Sequence, residues 1–315
     1  MEAAVHGAAA SSPEVIAMDV VLAQLFNGLS YGSILLLVAV GLAFSFGLMN
    51  VINMAHGEFI MVGAYTAFLL EQLFTAVLGP IGVDAYFLVA IPIAFVIAGA
   101  MGMLLERTLI RRLYGRPLDT LLATWGVSLL LQQGARSLFG AQNVQVTVPS
   151  WLRGGVEVTG TFAMPLSRLF ILALVTVCVA AVYAYIGRTS AGRRMRAVMQ
   201  NRDVANALGV DTPRVDMLTF GLASGLAGVA GCALALLGSV GPTLGTKWIV
   251  DAFLVVILGG IGQLVGTVVA ALSIGWSNVV LEYVSTASLA KVLVFVAVIV
   301  FLQFRPAGIV SRRGR

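Results

Sequence analysis

The chain has 315 residues, 59% of them hydrophobic and 10% charged, with a formal net charge of +5 at pH 7. A soluble domain carries about 25% charged residues, so this composition excludes a protein with a fully wetted surface. Its basic surplus is accounted for by membrane topology, without a nucleic-acid partner.

Mean hydropathy is +0.99, and apolar runs of about 20 residues recur along the chain, the pattern of membrane helices. The expected fold is an all-α integral membrane protein with eight to nine transmembrane or re-entrant helices. The 35 glycines suit it, because small residues let helices approach where lipid supplies no hydrophobic drive. Cys178 and Cys232 sit inside apolar runs and read as inert buried thiols, with no metal spacing.

Residues 1–19 contain Glu2, Glu14 and Asp19 but no Lys or Arg. They lack the positive region of a signal peptide and read as a flexible Ala/Ser-rich leader. Apolar spans follow at 20–46, 57–78, 86–106, 119–139, 168–187, 215–238, 249–260, 264–284 and 288–304. The seventh, at 1.5 Å per residue, is too short to cross a bilayer and reads as a half-helix or re-entrant piece. Together they delimit a permease-like membrane domain over 20–308.

Between the first two spans the chain reads Asn53-Met-Ala-His56-Gly57-Glu58, with Gly63 beyond. An amide, an imidazole and a carboxylate at membrane depth are costly and belong in a bundle interior or a water-filled path. His56 and Glu58 make only an H-x-E pair, too few ligands for a metal or a hydrolase. They either cap a broken helix or mark a polar point on a solute path. Gly57–Gly63 is echoed by Gly260–Gly266 as G-x4-V-G. Paired Gly-interrupted segments in two halves point to the translocation site of repeat-built transporters, so these four glycines are candidate gate positions.

Further polar stripes lie in two later spans. Trp125, Ser128, Gln132 and Arg136 share one helical face, with Gln133 beside it, and Gly275, Asn278 and Glu282 form a second stripe. Such groups either bond neighbouring helices or line a path for a small neutral polar solute. In the 140–167 loop, Asn143–Val148 and Gly155–Thr159 alternate and suggest two short strands.

No Lys or Arg precedes Arg107. Bases then cluster at 107–116, at 188–214 and at Arg305, Arg312, Arg313 and Arg315, the last three in a basic tail over 309–315. The positive-inside rule makes these segments cytoplasmic, with the N-terminus and the 140–167 loop outside. Within 188–214, Val204, Ala207 and Leu208 form the apolar edge of a short helix ending at Gly209 as C-cap. That pattern suits docking to a cytoplasmic partner. No P-loop occurs, so this chain binds no ATP by that route.

Asn27-Gly28-Leu29, Gly32-Ser33, Asn53–Glu58, Gly192–Gly209 and Asp251…Gly259-Gly260-Ile-Gly262 together resemble the membrane subunits of branched-chain amino acid-type ABC importers. Ala123–Ser128, Gln132-Gln133, Phe139–Val144, Pro149–Leu152 and Arg214–Phe220 look more like the first permease subunit of the urea branch. The likeness runs from about Val20 to Gly308. It implies a permease without catalytic chemistry or cofactor, seated in the bacterial inner membrane. Its partners would be a second homologous permease, two cytoplasmic ATPases that hydrolyse the ATP, and a periplasmic binding protein that delivers urea. Arg196, Asn201, Ala205, Leu208 and Gly209 would fall in the coupling loop, and the 140–167 loop would face the binding protein. The solute-path expectation rests on Asn53, His56, Glu58, Trp125, Ser128, Gln132, Asn278 and Glu282. The alternatives are a branched-chain amino acid permease and, from another class, a stand-alone channel or secondary transporter.

Overall fold

The computed structural model describes residues 13–49, 51–79, 82–159 and 162–310. Eleven helices are present among them: α1 (Pro13–Met49), α2 (His56–Leu78), α3 (Gly82–Thr108), α4 (Pro117–Phe139), α5 (Leu166–Arg188), α6 (Ser190–Gln200), α7 (Arg202–Ala207), α8 (Thr212–Ala235), α9 (Leu244–Gly259), α10 (Leu264–Val284) and α11 (Ala287–Phe304). Every expected apolar span is a helix. Seven of them, α1, α2, α3, α5, α8, α10 and α11, contain stretches long and apolar enough to cross a membrane. The chain is an all-α, multi-pass membrane protein. With 16 residues, α9 rises only about 24 Å, in line with the short piece expected at 249–260.

Glycine packing explains why α8 lies at the centre. A Cβ on Gly228 would come within 2.6 Å of the Ala94 carbonyl of α3, and one on Gly63 would overlap the Gly228 carbonyl. The backbones of α2, α3 and α8 therefore touch, which dispersion alone can stabilise in lipid. On the other side, α1 meets α10 where Gly32 lies against Gly275. Leu, Val and Ile side chains face outward from α3, α5, α10 and α11, as a lipid-facing surface requires.

Contacts define two ends of the bundle. At one end the loop after α4 is tied down: Thr147 donates its N–H to Glu71 of α2, Ser150 donates to Asp84 of α3, and Val144 bridges Val240. At the other end the basic segments 107–116 and 188–214 meet. Residues 307–310 fold beneath α9, where the Ile309 N–H donates to the Leu258 carbonyl.

Four expectations are corrected. The leader does not extend to residue 19, because α1 begins at Pro13; residues 1–12, with His6, lie outside the described residues. Asn143–Val148 is not a strand of the loop sheet. β1 (Gly155–Thr159) instead pairs antiparallel with β2 (Phe162–Pro165), while 143–148 is spent on its anchors and buries Val146. Residues 309–310, expected to belong to the basic tail, are instead docked on the membrane domain at Leu258; 311–315, with Arg312, Arg313 and Arg315, lie outside the described residues. Finally, the two glycine echoes do not occupy equivalent places. Gly57 and Gly63 are inside α2, whereas Gly260 (φ 95°) and Gly262 (φ 77°) form the turn between α9 and α10. Only the second break is made by glycine.

Candidate functional site

The first break, at residues 51–55, is held by side chains that bond the loop ahead of α2. Asn53 is fully buried, and its Oδ1 accepts the Ala55 N–H at 3.0 Å. The Met54 N–H donates to Thr124 Oγ1 of α4 at 3.1 Å. These bonds satisfy loop N–H groups just before α2, while His56 and Glu58 donate their own N–H groups to the Asn53 and Ala55 carbonyls, so the break leaves these donors paired away from water. His56 opens the helix and donates through Nε2 to the Val38 carbonyl of α1 at 3.3 Å. Its ring fits because Gly41 has no side chain: a Cβ there would lie 2.9 Å from the imidazole.

In the same first turn, Glu58 is 1% exposed. Ser128 Oγ and Gln132 Nε2 of α4 each donate to its Oε1 at 2.8 Å. Gln132 Nε2 also lies 3.2 Å from Thr246 Oγ1 in the first turn of α9. Three elements distant in sequence are thus joined through Glu58 and Gln132, and the chain of groups emerges at Thr246, an exposed residue. Asn53 Nδ2, His56 Nδ1 and Glu58 Oε2 have no hydrogen-bond partner among the described residues. A buried polar group left unpaired costs about 1–3 kcal/mol, so this cluster retains unused capacity for a polar ligand.

The α4 helix is unusual in which face it buries. Thr120, Thr124, Ser128, Gln132 and Ala135 are covered, while Leu122, Leu129, Leu130 and Leu138 are exposed. A polar face turned inward and an apolar one outward is the reverse of a soluble helix and fits a lipid or partner surface. Beyond the Glu58 cluster, α4 is held to α2 by Tyr65 stacked on Phe139, ring centroids 4.1 Å apart.

Asn53, His56, Glu58, Ser128 and Gln132 therefore come together at the start of α2. Trp125 does not join them; one position round from Thr124, it is half exposed. Arg136 also points outward. On α10, Asn278 is half-buried and Glu282 exposed, on a helix packed against α1 and α9. Sequence reasoning missed Thr124 and Thr246, although Thr120 and Thr124 continue the Ser128–Gln132 spacing of four and could have shown the buried face.

The candidate gate glycines pack in separate places. Gly57 lies against Gly245 of α9, Gly63 against α8, Gly260 against Ala307 and Val310, and Gly266 against Gly259. At the basic end, a cavity of about 760 Å³ opens between α1, α5, α6 and the α9–α10 turn. Its lining includes Phe44, Met195, Arg196 and Gln263 but none of the Glu58 cluster.

The predicted short helix is present as α7. Asn201 Oδ1 caps it by accepting the Val204 N–H at 3.0 Å. At its end the Gly209 N–H bonds the Asn206 carbonyl and the Val210 N–H bonds the Ala205 carbonyl, with Gly209 at φ 84°. This is a Schellman arrangement. Ala205 is buried, whereas Val204 and Leu208 are 52% and 80% exposed, so the apolar edge has no cover among the described residues.

A family profile described as the permease component of branched-chain amino acid transport systems matches residues 24–302. The chain is 30% identical over 297 residues to the high-affinity branched-chain amino acid transport system permease protein BraD of Pseudomonas aeruginosa, covering 92% of this chain and 96% of that one. It is 30% identical over 300 residues, with the same coverage, to the corresponding permease LivH of Escherichia coli K12. The ribose import permease RbsC of E. coli K12 is 26% identical over 286 residues, 88% of this chain and 83% of that one. No solved structure matches the chain.

Proposed function

Because the chain belongs to the family of branched-chain amino acid transport permease components, we propose that it forms the translocation path for urea in an ATP-driven importer. The chain is a permease subunit of an ABC importer and not an enzyme, with ATP hydrolysis in separate subunits. The finer assignment rests on one observation. The α4 residues that carry the resemblance to the urea branch include Ser128 and Gln132, the two that bond Glu58. Urea is neutral, with four N–H donors and one carbonyl. A carboxylate oxygen with spare capacity, flanked by hydroxyl and amide groups, offers the partners that replace its hydration.

In this reading Asn53, His56, Glu58, Ser128, Gln132 and Thr246 line or shape the path, and Trp125, Asn278 and Glu282 face a companion permease. The glycine turn at Gly260–Gly262 and the close contacts at Gly57, Gly63 and Gly266 allow adjoining segments to shift as a gate. The basic end faces the cytoplasm, where α6 and α7, from Arg196 through Asn201 to Gly209, receive an ATPase subunit. Val204 and Leu208 supply the apolar contact. The 140–167 loop faces a periplasmic binding protein.

A second reading, a branched-chain amino acid substrate, is favoured by the names of the relatives. Uptake of labelled urea and labelled leucine by cells expressing the complete transporter separates the two. Urea uptake competed by excess unlabelled urea is expected; leucine uptake without urea uptake would overturn the urea assignment.

A further inference from the structure

Behind α7 lies a cluster of charged groups that the solute path does not use. Glu106, in the last turn of α3, is completely buried. Arg111 grips it with two bonds, Nε to Oε1 at 3.2 Å and Nη2 to Oε2 at 2.9 Å, and the same Nη2 donates to the Pro213 carbonyl at 3.1 Å. The Tyr114 hydroxyl donates to Glu106 Oε1 at 3.1 Å. Burial, followed by the nearby Asp216 and Glu106 carboxylates, pushes the Tyr114 phenol well above its ordinary range, so it stays a donor. Over the face of the same ring, 4.7 Å from its centroid, sits the guanidinium of Arg202. Arg202 Nη1 is 2.6 Å from Asp216 Oδ2, a carboxylate only 3% exposed in the second turn of α8.

Arg202 is the first residue of α7. One side chain thus ties the root of the exposed helix to the end of α3, through Tyr114 and Glu106, and to the start of α8, through Asp216. A planar guanidinium can stack and pair at once, which an ammonium cannot reproduce. Beyond this clamp α3 and α8 are in backbone contact at Ala94–Gly228, and α8 meets α2 at Gly228–Gly63 and Gly231–Ile60. Packed backbones have no slack to absorb a displacement. The α2 helix carries Glu58.

We propose that Arg202 is the positioning residue that transmits movement of α7 to the membrane helices, by clamping it at once to Tyr114 on the α3 side and to Asp216 on α8. The inference rests on α7 being the ATPase-docking helix, and it adds that docking and transmission reside in different residues of that helix: Val204 and Leu208 outward, Arg202 inward.

The test uses the complete importer in proteoliposomes, with three readouts: ATPase subunits retained on affinity purification, ATP hydrolysed, and solute taken up per ATP. Arg202→Gln should retain the ATPases and hydrolyse ATP, while uptake per ATP falls about tenfold, within the usual range of a coupling free energy. The double exchange Arg202→Asp with Asp216→Arg should recover part of it. Arg202→Lys, which keeps the charge for Asp216 and loses the stacking, should fall between and serves if the glutamine variant is not inserted in the membrane. Unchanged uptake per ATP in both Arg202→Gln and Arg202→Lys would overturn the proposal. Loss of the ATPases from Arg202→Gln would also overturn it, by making Arg202 a docking residue. If instead Leu208→Asp retains the ATPases at full strength, the docking reading itself fails, whatever Arg202 does.

Discussion

Ser128 Oγ and Glu58 Oε1 lie 2.8 Å apart although 70 positions separate them in the chain. That bond, with its neighbour from Gln132, fastens α4 to the start of α2 at a point where all three side chains are buried. Replacing Ser128 by Ala together with Gln132 by Leu strips Glu58 of both donors and leaves a buried carboxylate unpaired. Each lost bond to a charged group is worth about 1.5–3 kcal/mol. The double variant is expected to lower the thermal midpoint of the detergent-solubilised subunit and to abolish solute uptake. Glu58→Gln in the same background should recover stability but not uptake. Melting by intrinsic fluorescence, beside uptake, checks both.

Glycine contacts divide the helices into places that tolerate a side chain and places that do not. At Gly63 a Cβ would overlap the Gly228 carbonyl, whereas at Gly126 and Gly134 nothing lies within 4 Å. Gly63→Val should leave little monodisperse protein after size-exclusion chromatography. Gly134→Ala should be neutral or stabilising by up to about 1 kcal/mol through helix propensity. A normal yield of Gly63→Val would show that α2 and α8 are not in backbone contact.

Lys291 Nζ pairs with Asp251 Oδ2 at 2.9 Å, joining α11 to the short helix α9. Asp251 is buried and Lys291 half exposed. Lys291→Met is expected to destabilise the subunit by about 2 kcal/mol, less than for a fully buried pair because the lysine is partly solvated. Adding Asp251→Asn should return most of that loss. A double-mutant cycle on thermal midpoints measures the coupling, and additive effects would mean the pair contributes nothing.

For α7, Leu208→Asp puts a charge on the exposed apolar edge without touching the clamp at Arg202. The subunit should insert normally, yet co-purify little or no ATPase. Asn201→Ala removes the cap of α7 at a cost of about 1 kcal/mol and should weaken retention only modestly. Quantitative immunoblots of the purified complex distinguish these outcomes.

Class and periodicity were open to reading from the chain alone. Runs of Leu, Val, Ile and Ala have to be helical in lipid, because only a helix satisfies its own backbone groups there. Even α7 could be read, since an Asn cap and a terminal Gly leave a local signature. What could not be read was which polar groups meet. Glu58, Ser128, Gln132 and Thr246 sit on three helices whose register depends on contacts between segments distant in the chain, such as Gly57 against Gly245. A helical stripe leaves its buried face uncertain by one position, enough to select Trp125 and miss Thr124. Alternation at 143–148 misled for a related reason: those residues are extended because Glu71, Tyr86 and Val240 hold them, and none of those anchors is local. Local chemistry thus determined that the chain is a helical membrane protein with a broken span. Long-range packing decided how α2 starts, which side of α4 is inside, and that Arg202 stands between α7 and the bundle.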